Sequence, residues 1–118
     1  MKYLCLVFNE EKVLDAMPPA ELAAFEAEHL ACDDRLRESG HFIVAEALGP
    51  VSTATTVRVR AGKLSVSDGP FAETKEQLGG FYLIEARDLN DAIRLAGEIP
   101  SARTGSIEVR PVRELTPV

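Results

Sequence analysis

The sequence predicts an α+β domain, a ferredoxin-like antiparallel sheet with two helices on one face. Three observations predict it. The apolar runs come in the order strand, helix, strand, hairpin, strand, helix, strand, which returns both helices to one side of an antiparallel sheet. The first run, Lys2–Phe8, and the later run Phe81–Ala86 are apolar on both faces, so both faces of the sheet need cover. Two helices cover one face only. A second copy of the same sheet is the simplest cover for the other, so a homodimer is expected.

The chain of 118 residues fits one domain spanning positions 1–118. Hydrophobic residues are 46% and charged residues 27%, the balance of a globular chain that buries one core. The net charge of −6 argues against nucleic acid and against anionic membrane surfaces, which both select clustered Lys and Arg. No run approaches the ~20 apolar residues of a membrane span. The start, MKYLCLVFNEE, turns acidic without a small-residue cleavage site and reads as a strand, not an export signal. Cys5 and Cys32 are the only cysteines and are expected as reduced thiols, with the cytoplasm as the location.

Taken in order, Lys2–Phe8 is the first strand and Asn9–Met17 a polar connector. Pro18 and Pro19 open a helix, Glu21 suits its N-terminal dipole, and Gly40 stops it. Its apolar stripe is Leu22, Phe25, His29, Cys32 and Leu36, at alternating spacings of 3 and 4. Glu26, Asp33 and Arg37 are assigned to the opposite, solvated side. Phe42–Leu48 is a strand ended by Gly49-Pro50. Thr55–Arg60 and Leu64–Ser67 form a hairpin, with Val57 and Val59 on one face and Arg58 and Arg60 on the other, as suits a strand near an edge. Ala72–Leu78 reads as a loop, after which Gly79-Gly80 bends the chain into Phe81–Ala86. Asp88 caps a second helix, Leu89–Glu98, with Leu89, Ala92, Ile93 and Ala96 as its apolar face. Ser106–Val112 is the last strand, its Pro111 marking an edge or an end. Thr116-Pro117-Val118 is a tail.

One stretch stands out, Ser67–Ile84, SDGPFAETKEQLGGFYLI. Its Asp-Gly-Pro is turn chemistry: Asp bonds back to its own backbone, Gly accepts positive φ, and Pro fixes φ. The stretch resembles the signature of the DGPF group of the YCII-related family, named for residues like Asp68-Gly69-Pro70-Phe71. The resemblance implies a dimeric α+β barrel, in which two sheets face each other. It also implies small-molecule chemistry without a cofactor, since some relatives act on halogenated aromatic breakdown products. Relatives of this kind carry a His eleven residues before the Gly that ends the first helix, and His29 and Gly40 keep that spacing. They pair it with an Asp before a Pro, and here that position is Ile99, followed by Pro100.

The candidate catalytic residues are therefore His29, whose imidazole is the side-chain type suited to proton transfer, and Asp68 as the substitute carboxylate. Gly69, Pro70, Phe71, Glu73 and Tyr82 are expected to wall a pocket for a small organic ligand. Each has a plainer reading: His29 as a core residue with a satisfied ring, Asp68 as a turn former, Glu73 as a solvated loop charge. No metal is expected, because His29 and Cys32 at i, i+3 are two ligands where zinc needs three or four. No dinucleotide, P-loop or nucleophile-elbow motif occurs, and no cofactor is expected. The alternative to an enzyme is a ligand-binding or regulatory module, because DGPF-type relatives occur beside sigma factors.

Overall fold

The computed structural model describes residues 1–117, so the last residue of the expected tail, Val118, lies outside the described residues. Four strands form one antiparallel sheet in the order β2-β5-β1-β6. They are β1 (Lys2–Asn9), β2 (Phe42–Ala47), β5 (Gln77–Glu85) and β6 (Ser106–Pro111). The two strands apolar on both faces, β1 and β5, hold the two central places, as their composition demands. The edge strand β6 ends in Pro111, where a missing N–H costs no ladder bond.

The long helix α2 (Pro19–Glu38) opens on a proline and closes at Gly40, whose φ is 80°. It lies on the same face of the sheet as α3 (Leu89–Ala96). Between these helices and the sheet sits the core: Tyr3, Cys5 and Val7 of β1, Tyr82 and Ile84 of β5, Cys32 and Leu36 of α2, and Ala92, Leu95 and Ala96 of α3. The expected stripe of α2 does face inward. On α3 the inward face is Asp91, Ala92, Leu95 and Ala96, whereas Leu89 and Ile93 are exposed. That corrects the expected face by about one residue's rotation, because burying Ile99 and Pro100 beyond the helix pulls its C-terminal turn onto the sheet.

Three further stretches depart from expectation. The connector after β1 contains a short helix, α1 (Glu11–Asp15). A one-turn helix, α4 (Ser101–Thr104), follows Pro100. The strand β5 begins at Gln77, so Gly79 and Gly80 lie within it and do not form the bend that leads into it. Opposite them the ladder slips between Val7 and Phe8, which pair with Gly80 and Leu78 and leave Gly79 as the extra residue of a bulge. A side chain at Gly80 would not fit, since its Cβ would stand 2.8 Å from the Glu46 carbonyl oxygen.

The hairpin does not join the main sheet. Strands β3 (Thr55–Arg60) and β4 (Lys63–Asp68) form a ribbon of their own. Its two-residue turn, Ala61-Gly62, has both residues at positive φ, 52° and 74°, the signature of the tight hairpin turn that matches strand twist. The turn named from Asp68-Gly69-Pro70-Phe71 closes the base of this ribbon. The Gly69 N–H donates to the Ala54 carbonyl at 2.7 Å, and the Thr56 hydroxyl donates to the Gly69 carbonyl at 2.8 Å.

Candidate active site

A cleft of about 620 Å³ opens between α2 and the β2–β5–β1 side of the sheet. Leu22, Phe25 and Leu48 give it apolar walls, and the bulge at Gly79-Gly80 forms part of its lining. The bulge matters here because two glycines in succession leave backbone where side chains would otherwise fill the space.

His29 lines this cleft, and the structure fixes its ring at both nitrogens. Nδ1 lies 3.0 Å from the Phe25 carbonyl oxygen, one turn back on α2. A carbonyl only accepts, so Nδ1 carries the proton. Nε2 lies 2.9 Å from the Ser101 hydroxyl oxygen. In the neutral ring Nε2 therefore accepts the Ser101 proton. Ser101, only 1% exposed, in turn accepts from the Asn9 side-chain N–H at 3.0 Å, and Asn9 accepts from the Thr104 hydroxyl at 2.7 Å. The Phe25 ring meets the imidazole edge-on, with centroids 4.7 Å apart. The imidazole is thus neither a free surface base nor a residue sealed in aliphatic packing. It is a held ring at the wall of a cleft, with its basic nitrogen on a hydroxyl.

Tyr82 also lines the cleft. Burial, and after it the neighbouring Asp33 carboxylate, push its phenol far above the usual range, so Tyr82 is a neutral hydrogen-bond donor there. Asp33 itself was assigned to the solvated side of α2. It lines the cleft instead, half-buried, and its Oδ1 meets no donor in hydrogen-bond geometry. The signal for it was in the sequence: Asp33 follows His29 by one helical turn, so the two share a stripe.

The remaining expected residues lie elsewhere. Asp68 does not line the cleft and makes no hydrogen bond with His29; it ends β4 at the base of the ribbon. Gly69, Pro70, Phe71 and Glu73 are likewise absent from its lining. Phe71 is 80% exposed and Glu73 is exposed. Within one chain the pairing of His29 with Asp68 is therefore not made, because the hairpin stands off the main sheet and carries the DGPF turn with it. The carboxylate that shares the cleft with His29 is Asp33. The thiols play no part in such chemistry: burial pushes Cys5 up to about 11 and raises Cys32 as well, so both stay protonated.

Comparisons with known proteins place these features. The model of the YCII-related domain matches residues 1–116. An uncharacterised protein of Rhizobium meliloti (strain 1021) is 40% identical over 114 residues, covering 95% of this chain and 92% of that one. Among solved structures, the chain is similar to 5-chloro-2-hydroxyhydroquinone dehydrochlorinase from Burkholderia phenoliruptrix AC1100, in complex with 2,5-dihydroxybenzoquinone. The TM-score is 0.56 at 16% identity, over 96% of this chain and 94% of that one. At that identity the likeness speaks for the fold.

Proposed function

The chain belongs to the YCII-related domain family, and from that premise we propose that it is a homodimeric cytoplasmic enzyme. Its reaction is cofactor-free acid/base chemistry on a small organic molecule held in the cleft below α2. His29 is the proton acceptor. The observation that carries this reading is the fixed imidazole at the cleft wall. Its Nδ1–H is spent on the Phe25 carbonyl, which leaves Nε2, held against the Ser101 hydroxyl, as the basic atom. Tyr82 supplies a neutral donor nearby, the kind of group that steadies charge developing on a substrate oxygen. The dehydrochlorinase of similar fold is an enzyme of elimination chemistry, which accords with proton abstraction on this scaffold.

The test is a neutral probe whose elimination needs only a base in an apolar pocket, 5-nitrobenzisoxazole. A base removes its ring C–H proton, the N–O bond breaks, and a coloured cyanophenolate leaves. The native protein should outpace the His29→Gln variant by about a hundredfold, with His29→Ala equally slow, while circular dichroism shows all three folded. Equal rates in native protein and variants would end the acid/base reading.

A further inference from the structure

We infer that the Ser101 hydroxyl is the group that meets the substrate, and that it relays the substrate's proton to His29. The inference rests on the acid/base reading of this cleft and gives that reading a second catalytic residue.

Hydrogen-bonding capacity decides which atom of the network is open to a substrate. Both ring nitrogens of His29 are occupied: Nδ1–H donates to the Phe25 carbonyl at 3.0 Å, and Nε2 accepts from Ser101 at 2.9 Å. A nitrogen whose lone pair already holds a hydroxyl proton has no room for a second proton from another direction. Behind Ser101 the donors all run one way. The Thr104 hydroxyl donates to Asn9 Oδ1 at 2.7 Å, and the Asn9 amide N–H donates to Ser101 Oγ at 3.0 Å. The Ser101 oxygen carries two lone pairs, and Asn9 takes one of them. Among the described residues no donor reaches the other.

Ser101, Asn9 and His29 all line the cleft, although Ser101 is only 1% and Asn9 only 6% exposed. The two buried residues belong to its floor, where a proton is handed over and bulk water has little access. The backbone around them fixes that place. Ser101 opens α4 directly after the buried Pro100. Gly105 keeps room for the Asn9 amide, since a Cβ there would collide with the Phe8 carbonyl and stand 2.8 Å from Asn9 Oδ1.

The transfer balances atom by atom. The substrate's C–H proton moves to the open lone pair of Ser101 Oγ as the Ser101 O–H proton moves to His29 Nε2. The substrate keeps the C–H electron pair, His29 becomes imidazolium, and Ser101 ends as a hydroxyl again. Its oxygen then accepts from Nε2–H and from Asn9, and its new proton points at the substrate anion. Every position is satisfied after the transfer as before it. Direct transfer to Nε2 breaks that match, because the Ser101 proton must first turn away and the buried hydroxyl loses its acceptor.

5-Nitrobenzisoxazole tests the relay, because the hydrogen it gives up is bound to carbon and does not exchange with solvent. Direct abstraction by His29 moves no exchangeable proton, whereas the relay moves that of Ser101. The native protein should therefore turn over about twofold more slowly in deuterium oxide than in water. Ser101→Ala should lose about as much rate as His29→Gln, and Ser101→Thr, which keeps a hydroxyl, should recover most of it. Nitrogen NMR should show His29 still protonated at Nδ1 in Ser101→Ala, since the Phe25 carbonyl is untouched. Loss of that proton would reduce Ser101 to a positioning residue and overturn the relay. Equal rates in the two solvents, or a Ser101→Ala variant as fast as the native protein, would overturn it while the acid/base reading stands, with Nε2 acting directly. A His29→Gln variant as fast as the native protein would end both.

Discussion

The hydroxyl of Ser101 shows how much one buried group can decide. It donates to His29 Nε2 and accepts from Asn9, itself buried, so one oxygen ties α4, β1 and α2 together. Replacing it by alanine strands the Asn9 N–H. Ser101→Ala should lower the urea unfolding free energy by about 1–3 kcal/mol. Thr104→Ala, whose residue is exposed, should cost less because water can replace its hydroxyl. Equal losses in the two variants would contradict the network. His29 was legible in the sequence, since its place in the stripe from Leu22 to Leu36 set its direction. Ser101 was not, because it lies 72 residues from His29 in the chain and no local pattern joins them. Asp33 was misread for a different reason: a charged residue in a helix is ordinarily solvated, and only the cleft makes an inward carboxylate tolerable.

Among the elements, α3 shows a cap that reaches beyond one helix turn. The Asp88 carboxylate accepts from the Asp91 N–H at 2.9 Å, as the sequence position suggested. Asp91 then accepts from the Arg87 N–H at 3.0 Å and from the Arg94 guanidinium at 2.8 Å. Those donors hold its carboxyl well below the usual aspartate range. A folded-state pKa below the unfolded one adds stability that is fully present above the ordinary aspartate value near ~3.9 and is lost as the pH falls through the folded value. Asp91→Asn should therefore destabilise the protein at neutral pH, with the gap to the native protein closing as the pH drops below about 4. A gap that stays constant down to pH 2 would refute it. The ribbon carries a different lesson. Its strands and turn were readable from alternation and from Ala61-Gly62, but its position was not. Nothing local states whether a hairpin adds to a sheet or stands apart.

The molecule as a whole is flat, 48 × 48 × 19 Å, the thickness of one helix layer on one sheet. The far face of that sheet carries Leu4, Leu6, Phe8, Phe81 and Leu83, all half-buried, with Leu4 opposite Leu83 and Leu6 opposite Phe81 across the strands. The ribbon adds Val57, Val59, Leu64 and Val66, each 57–67% exposed and paired across its two strands. A two-stranded ribbon with an exposed apolar face is marginal alone. The proposed homodimer would cover both surfaces. Light scattering should give twice the 12.8 kDa chain mass, and Leu6→Asp should yield monomer. A monomeric native protein, or a Leu6→Asp variant still dimeric, would count against the pairing.

The sequence by itself determined the kinds and order of the six strands and the two longer helices, the inward stripe of α2 and the two-sided character of β1 and β5, because helix and strand periodicities are local and survive in a linear reading. It also marked His29. The tertiary structure decided which carboxylate shares the cleft with it. Asp68 left with a ribbon that stands off the sheet, and Asp33 arrived through a bulge at Gly79-Gly80 that opened space beside α2. Those outcomes depend on packing between segments far apart in the chain, and their energies are set by what each segment meets, not by what it is next to.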